Sequence, residues 1–550
     1  MISDNSTAQP AERSPSEAAA LNPPVSVHGT GESRRPEILK AYDYIVCGSG
    51  TGGSVVARRL AEDSTATVLL IEAGGDDSGP QIERPQAWLS NLGTDRDWGI
   101  KAEPSPHLNG RTPLLSMGKV LGGGSSINAM IWSHAHRSDW DGYARAVQDE
   151  SWRYDSILGI FRRIEDWHGP ADPLRRGAGG LVFVQPAPDP APLTEAVLSA
   201  AAASGLPVFA DANGAMMEQP EGAALTNLSV RDGRRLSIFR SYVAPLIGQP
   251  NLTVLTGALV ARVNLDRHGA TGVEVEMDGR RVSIAAAQEV VVALGAFHTP
   301  KLLMQSGIGD RAELALHGIE VFRHLPGVGR NLQDHVLLRG CAWASPEPIG
   351  FTNNGAEAAL FWRSDPGLSQ PDIQSLLIAA AAATPEVQAM RGAAIPSGWS
   401  LFPALVRPKS TGRVMLSGPA PSDPVRVDWG ALSAPEDIAA LAIAVERSRS
   451  VGNAASLSDF RRSETLPGAI KGPALEAFIR NAATSYWHQS CTARMGVDAL
   501  AVVDARLRVH GVSRLRIADA SVFPWVPTGN TMAPTVIVAE RAAEMLLADA

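Results

Sequence analysis

Tyr42 to Cys47 is a short, almost wholly apolar run, the length of one buried strand. Ser54 to Glu62 carries the small and apolar residues of a helix able to pack closely on it, and Thr67 to Ile71 returns to a strand-like run that ends at Glu72. Strand, helix, strand is therefore the predicted opening. Glu289 to Leu294 and Leu515 to Ala518 read as further parallel strands, far along the chain, and Leu252 to Val263 as another strand. Thr531 to Leu547 predicts a helix with Pro534 in its first turn, where a missing N–H costs little.

The turn between the first strand and helix is Gly48-Ser49-Gly50-Thr51-Gly52-Gly53. In such a turn the first glycine permits a tight bend, the second lets backbone approach a pyrophosphate, and Gly53 permits close helix–strand contact. The helix N-terminus then faces phosphate charge, and Glu72 offers a carboxylate to ribose hydroxyls. These residues predict a dinucleotide site without deciding between NAD and FAD.

Composition narrows the classes. At 550 residues, 45% hydrophobic and 19% charged, the chain suits a large two-lobed enzyme, and it has no long uninterrupted apolar stretch to span a bilayer. A net charge of −8 with no basic stripe excludes nucleic acid as a partner. Cys47, Cys341 and Cys491 are odd in number and lack the paired spacing of a zinc site, as expected of a reducing, cytoplasmic location. Residues 1–40 are rich in Ser, Ala, Pro and Glu and read as a disordered tail; Arg34-Arg35 is not followed by an apolar export segment. His134 and His136 have the look of a metal pair, yet no metal is expected, and His298 and His335 are expected to be structural.

Five further segments decide the cofactor. They are Gly118 to Asn128 (GKVLGGGSSIN), Gly295 to Gly309 (opening GAFHTPKLL), Leu325 to His335 (LPGVGRNLQDH), Trp487 to Gly496 (WHQSCTARMG), and Leu515 to Ser521 leading to Gly529 to Thr535 (GNTMAPT). With the glycine turn, they make the sequence resemble the glucose-methanol-choline oxidoreductases, flavoproteins that oxidise alcohols with FAD. The resemblance runs over some 500 residues and implies an α/β fold: a Rossmann-like FAD-binding domain from discontinuous segments (41–170, 235–335, 482–550) and an α+β substrate domain with an antiparallel sheet (171–234, 336–481).

The resemblance assigns FAD to Gly48, Gly50, Thr51, Gly52, Gly53, Glu72 and Ala73, to Gly118, Val120 and Gly123, and to Asn128, Ala129, Met130 and Ile131 beside the flavin. It adds Val260 at the adenine, then Trp487, Asp519, Ala520, Thr531 and Met532. His488 falls at the family's catalytic base, and Asn530 at its second catalytic position, where the amide holds an oxygen becoming an alkoxide. Asn530 also suits a helix N-cap.

Two departures qualify the match. Some members bond FAD through a histidine at the position of Ile127, which cannot form that bond, so FAD is expected to be non-covalent. Choline oxidases carry a serine where this chain has Ala129, which weakens choline as substrate, and Tyr486-Trp487-His488 resembles enzymes for aromatic and furanic primary alcohols. The expected partners are a small alcohol and either oxygen or a quinone-like acceptor. Alternatives are a choline-type dehydrogenase or a hydroxynitrile lyase that keeps FAD without using its redox state. The runs Leu376 to Thr384 and Gly392 to Trp399 carry no motif and read as lid or surface.

Overall fold

A computed structural model describes residues 36, 38–62 and 65–550. Most of the expected N-terminal tail, with Arg34-Arg35, lies outside these residues. The opening unit is strand β1 (Ala41–Cys47), helix α1 (Thr51–Ala61) and strand β2 (Val68–Ile71). β1 pairs in parallel with β2 on one side and with the end of Arg280–Val292 on the other, and Ile45, Val46 and Cys47 are fully enclosed. Burial on both faces explains why these strands are continuous apolar runs rather than alternating ones.

Leu252–Leu255 extends this sheet beyond β2, and Leu515–Ile517 joins in parallel beside Arg280–Val292. An antiparallel pair, Leu259–Asp266 and Gly269–Met277, completes seven strands. The single strand expected from Leu252 to Val263 is thus two strands. The chain leaves β2 at Leu255, bends through Thr256 to Ala258, and re-enters the sheet elsewhere, with Val260 on the second strand. Within the apolar run, Gly257, at φ +63° in the bend, is the residue that marks this change of partner.

Helix α1 lies against the last helix, Met532–Asp549, and the buried Glu540 carboxylate of that helix pairs with Arg59 at 2.9 Å and accepts from the Tyr242 hydroxyl at 2.8 Å. First and last segments are locked together this way. Among the described residues no helix is long and apolar enough to cross a membrane, and all three cysteines are buried and free.

The second large sheet has eight strands, in the order Ser463–Leu466, Ala342–Ala344, Gly398–Leu405, Ile373–Ile378, Ala358–Trp362 and Gly222–Leu225, with Val336–Leu338 bridging Gly398–Leu405 to Ala483–Ser485. Its pairings are antiparallel. Helix Pro435–Gly452 covers one face, over a core that includes the stacked pair Trp343 and Trp399, 4.6 Å between ring centres. The opposite face turns toward the parallel sheet. The alanine-rich run after Leu376 is neither lid nor plain surface at its start, since Ile373–Ile378 is an interior strand of this sheet.

Close packing of α1 on its turn depends on Gly53. A Cβ there would stand 1.8 Å from the Gly48 carbonyl oxygen, so the backbone has to move. Gly53→Ala is expected to cost more than about 4 kcal/mol, in the range of severe core clashes. Gly159, exposed in helix Tyr154–Ile164 with open space around its Cβ position, is the control, where Ala should add about 0.5–1 kcal/mol. Thermal unfolding of the two variants measures the contrast.

Candidate active site

One large cavity, about 1960 Å³ of atom-free space with its open mouth included, lies between the two sheets. Around the glycine turn it is lined by Gly48, Gly50, Thr51, Gly52, Glu72, Ala73, Gly118, Gly123, Asp519 and Ala520; further lining residues are Asn128, Ala129, Ile131, Trp487, His488, Asn530, Thr531 and Met532. Segments separated by more than 400 residues of sequence therefore meet around one space. Val260 lines a smaller adjoining hollow that shares Ala73 and His298 with it.

Three of the sequence-derived positions stand behind the wall. Gly53 packs on Gly48; Val120 is enclosed in a small cluster with Ile82 and Ile127; and Met130 is wholly buried, its backbone at φ +58° and its carbonyl accepting from Ser229 N at 3.0 Å. Their support is indirect.

At the nucleotide end the Glu72 carboxylate is held by Ser49, whose N and Oγ donate at 3.1 and 2.7 Å, and by Gly74 N at 2.8 Å. Three donors fix its direction. Asp519 accepts from Gly295 N at 2.8 Å and Thr299 Oγ1 at 2.6 Å, tying the helix Gly295–Gln305 to the strand end at Ile517.

His488 is clamped through its backbone, whose N donates to Asp334 Oδ1 at 2.9 Å, while the Ser485 hydroxyl donates to Asp334 Oδ2 at 2.6 Å. Burial pushes the Asp334 carboxyl up to about 7, against the pull of these donors. Burial also pushes His488 down to about 3, so its imidazole is neutral near pH 7.

A neutral imidazole has one N–H and one bare nitrogen, and the neighbours decide which is which. Asn530 Nδ2 lies 3.3 Å from His488 Nε2, and Gln374 Nε2 donates to Asn530 Oδ1 at 3.4 Å, so the amide donates toward Nε2. His488 Nδ1 lies 2.8 Å from His335 Nδ1, and with the Asn530 amide donating to Nε2 the proton of His488 sits on Nδ1. His488 and Asn530 both line the cavity. His335, expected to be merely structural, thus sits against His488, held neutral by burial and by the nearby His488 ring.

Asn530 does not cap a helix. The cap position of Met532–Asp549 is Thr531, and the Asn530 side chain is committed to His488 and Gln374. Trp487 adopts φ +60°, with its N donating to Ser485 Oγ at 2.8 Å, and its ring meets Trp88 edge to face at 5.9 Å. His134 is stacked on Phe161 and bonded to Glu165, and among the described residues no group of three His, Cys, Asp or Glu side chains is placed to hold a metal.

Sequence reading missed His335 and Gln374 as neighbours of the base, and Trp88, Phe351, Phe402 and Arg339 as cavity walls. His335 stands in a segment singled out above, so only its partner was hidden; the others stand in segments without any motif.

Comparison with known proteins agrees with this geometry. Residues 42–337 and 408–539 match the N- and C-terminal models of GMC oxidoreductases. The chain belongs to the GMC oxidoreductase family. It is 35% identical over 534 residues to an oxygen-dependent choline dehydrogenase of Sinorhizobium fredii and 34% over 533 residues to one of Brucella anthropi, each match covering 92% of this chain and 95% of the relative. Among solved structures it is similar to pyridoxine 4-oxidase from Mesorbium loti, at 32% identity and a TM-score of 0.86, over 92% of this chain and 98% of that one. The two-sheet α/β architecture is thus that of a GMC oxidoreductase.

His298 also lines the cavity, its ring tilted by 36° against Trp98 at 4.0 Å between centres, and pushed down to about 3 by burial. Its depressed value gives stability that is complete above the ordinary imidazole range and lost as pH falls toward 3, because the unfolded chain takes the proton first. In His298→Phe, which keeps a ring against Trp98, that loss is absent. The stability of wild type relative to the variant should be constant above pH 7 and fall by about 1.4 kcal/mol per pH unit below 6.5, read from thermal or urea unfolding across pH.

Proposed function

We propose that this GMC oxidoreductase oxidises a primary alcohol to the aldehyde, with non-covalently bound FAD and with His488 as the base. The observation that carries the reading is a buried, neutral His488 whose Nε2 lies 3.3 Å from the Asn530 amide, both side chains lining the cavity.

The cavity suits the cofactor. A Cβ on Gly123 would lie 2.8 Å from Gly50 Cα, so two stretches of bare backbone form a cradle that side chains would fill. The backbone from Gly48 to Gly52 would hold the pyrophosphate, Glu72 the ribose, and Asn128 to Ile131 with Trp487, Thr531 and Met532 the ring system. Ile127, at the cavity wall, has no nucleophile to bond it. When bound, FAD supplies the acceptor for a hydride from the carbinol carbon, to be discharged to oxygen or a quinone-like compound.

The protein's part is proton handling and charge. His488 Nε2 takes the hydroxyl proton, while His335 retains the hydrogen bond to Nδ1 and stabilises the imidazolium orientation. The Asn530 amide, anchored by Gln374, donates to the oxygen as negative charge develops on it. Trp88, Phe351, Phe402 and Trp487 present flat apolar surface to the substrate, which favours an aromatic or furanic alcohol. Pyridoxine, oxidised by the structural neighbour, is itself an aromatic ring bearing hydroxymethyl groups. The choline dehydrogenases at 34–35% identity favour a choline-type substrate as the second reading. Against it, Ala129 stands in place of the serine of choline oxidases, and among the described residues the two carboxylates that line the cavity, Glu72 and Asp519, stand by the glycine turn.

Anaerobic mixing with benzyl alcohol, furfuryl alcohol and choline should bleach the flavin with the aromatic alcohols, and His488→Ala should slow that bleaching by about 10²–10⁴-fold. An unchanged rate in the variant would remove His488 as base, and a flavin left oxidised by every alcohol would point to a lyase. Acid precipitation should release all flavin to the supernatant; a yellow pellet contradicts non-covalent binding.

A further inference from the structure

Three charged side chains line the cavity, and two of them are already engaged. Glu72 is held by Ser49 and Gly74, and Asp519 by Gly295, Thr299 and Ser521. The third is Arg339. Among the described residues that line the cavity it is the sole arginine or lysine.

Its position follows from the strand Val336–Leu338. The backbone pairing continues past the strand at both ends, with Arg339 N donating to Ala482 O at 2.9 Å and Tyr486 N donating to His335 O at 3.1 Å. Side chains alternate along such a segment, so His335, Leu337 and Arg339 share one face. The packing agrees: Val336 and Leu338 are buried in the core behind the sheet, whereas Leu337 packs with Phe402 and Tyr486 on the cavity side. Arg339 therefore stands on the wall that carries the base's partner, about 13 Å of strand beyond His335.

Its guanidinium lacks a partner. Among the described residues no carboxylate oxygen lies within 4.0 Å of it and no hydrogen bond is made by its side chain, although its Nε is fully enclosed. Elsewhere among the described residues the buried arginines are held by protein groups: Arg516 pairs with Glu289 at 2.7 Å and Arg176 with Glu165 at 3.4 Å, and Arg235, without a carboxylate, donates to the carbonyls of Ile82 and Ser125 and to Asn128 Oδ1. A shielded charge left unpaired is costly, and an anion delivered by a ligand removes the cost. Burial also lowers the guanidinium below its ordinary range, in the direction an adjacent anion would reverse.

We propose that Arg339 binds a carboxylate carried by the substrate, so that the alcohol oxidised is a carboxylated one with its hydroxymethyl group at His488 and Asn530 and its acid group at Arg339. This rests on the alcohol-oxidising reading above. A carboxylate fits because a planar guanidinium engages it through two parallel hydrogen bonds, and because one cation without a second beside it balances one negative charge rather than a phosphate's two. The same charge repels a quaternary ammonium alcohol.

The test uses the FAD-loaded enzyme, wild type, Arg339→Met and Arg339→Lys, with two readouts. Calorimetry measures binding of 4-methylbenzoate, 4-methylbenzamide and phenyl phosphate, none of which has an alcohol to oxidise. Initial rates compare 4-(hydroxymethyl)benzoate with 4-(hydroxymethyl)benzamide. Wild type should bind the benzoate at least tenfold more tightly than the amide, and Arg339→Met should lose that preference, by about 10- to 100-fold. In turnover the loss should appear in KM for the acid, with the amide's kcat/KM within about twofold of wild type; Arg339→Lys should retain part of the preference.

Equal binding of acid and amide by wild type, tighter binding of phenyl phosphate, or a preference that survives in a folded Arg339→Met would each overturn the proposal. Should the Met variant fail to fold, the wild-type comparison of acid with amide and the Lys variant decide. If neither alcohol is oxidised while 4-methylbenzoate still binds through Arg339, the alcohol-oxidising reading fails and the carboxylate site stands.

Discussion

Both ends of the substrate space are set by one short backbone pairing, Val336–Leu338 against Ala483–Ser485, in which Val336 opposes Ser485 and Leu337 opposes Thr484. Asp334, just before the first strand, reaches across to the Ser485 hydroxyl and the His488 amide, so the pairing is stapled at its outer end. With that register His335 meets His488, and Leu337 and Arg339 follow on the same face. A slip of one residue would turn Val336 and Leu338 into the cavity, part His335 from His488 and carry the Arg339 charge into an apolar core. The cost of enclosing that charge and of losing the histidine contact favours the observed register.

The same burial shapes the chemistry. An exposed histidine at this position would be partly protonated near pH 7 and could not accept a proton efficiently. Enclosure removes the charge, and a chain of contacts runs from Gln374 through Asn530 and His488 to His335, in which donation by the Asn530 amide to Nε2 leaves that nitrogen unprotonated. Hydrogen bonds in such a low-dielectric setting are stronger and polarise one another, so the geometry is held without a charged partner for the ring.

How far all this was legible depended on whether a feature is local in sequence. β1, α1 and β2 were readable because double-sided burial writes itself as unbroken apolar runs, and the glycines of the turn because backbones meet there. The break between Leu255 and Leu259 was missed because a single glycine, Gly257, is its only mark between two equally apolar halves that differ in the choice of neighbouring strand. His335 stood in a recognisable segment, but its partner lies 153 residues away, and a contact at that separation leaves no spacing to read. The alanine-rich stretch after Leu376 was opaque for another reason: past Ile378 it is irregular backbone whose Ala380 and Ala382 wall the cavity, and small apolar residues in that role carry no chemical signature.

That contrast separates two kinds of constraint within the fold. The cofactor end is built from segments whose residue types are dictated by close backbone approach and by fixed proton positions, so a substitution there disturbs the chemistry whatever the substrate. The antiparallel sheet must supply only shape, apolar surface and one properly placed charge, and it can change any of these while its hydrogen-bonded ladder stays intact. Similarity along the whole chain therefore reports the reaction class more faithfully than the substrate. Under the proposed function, the side chains that line the cavity from this sheet, Leu376, Phe402 and above all Arg339, are where selectivity is decided.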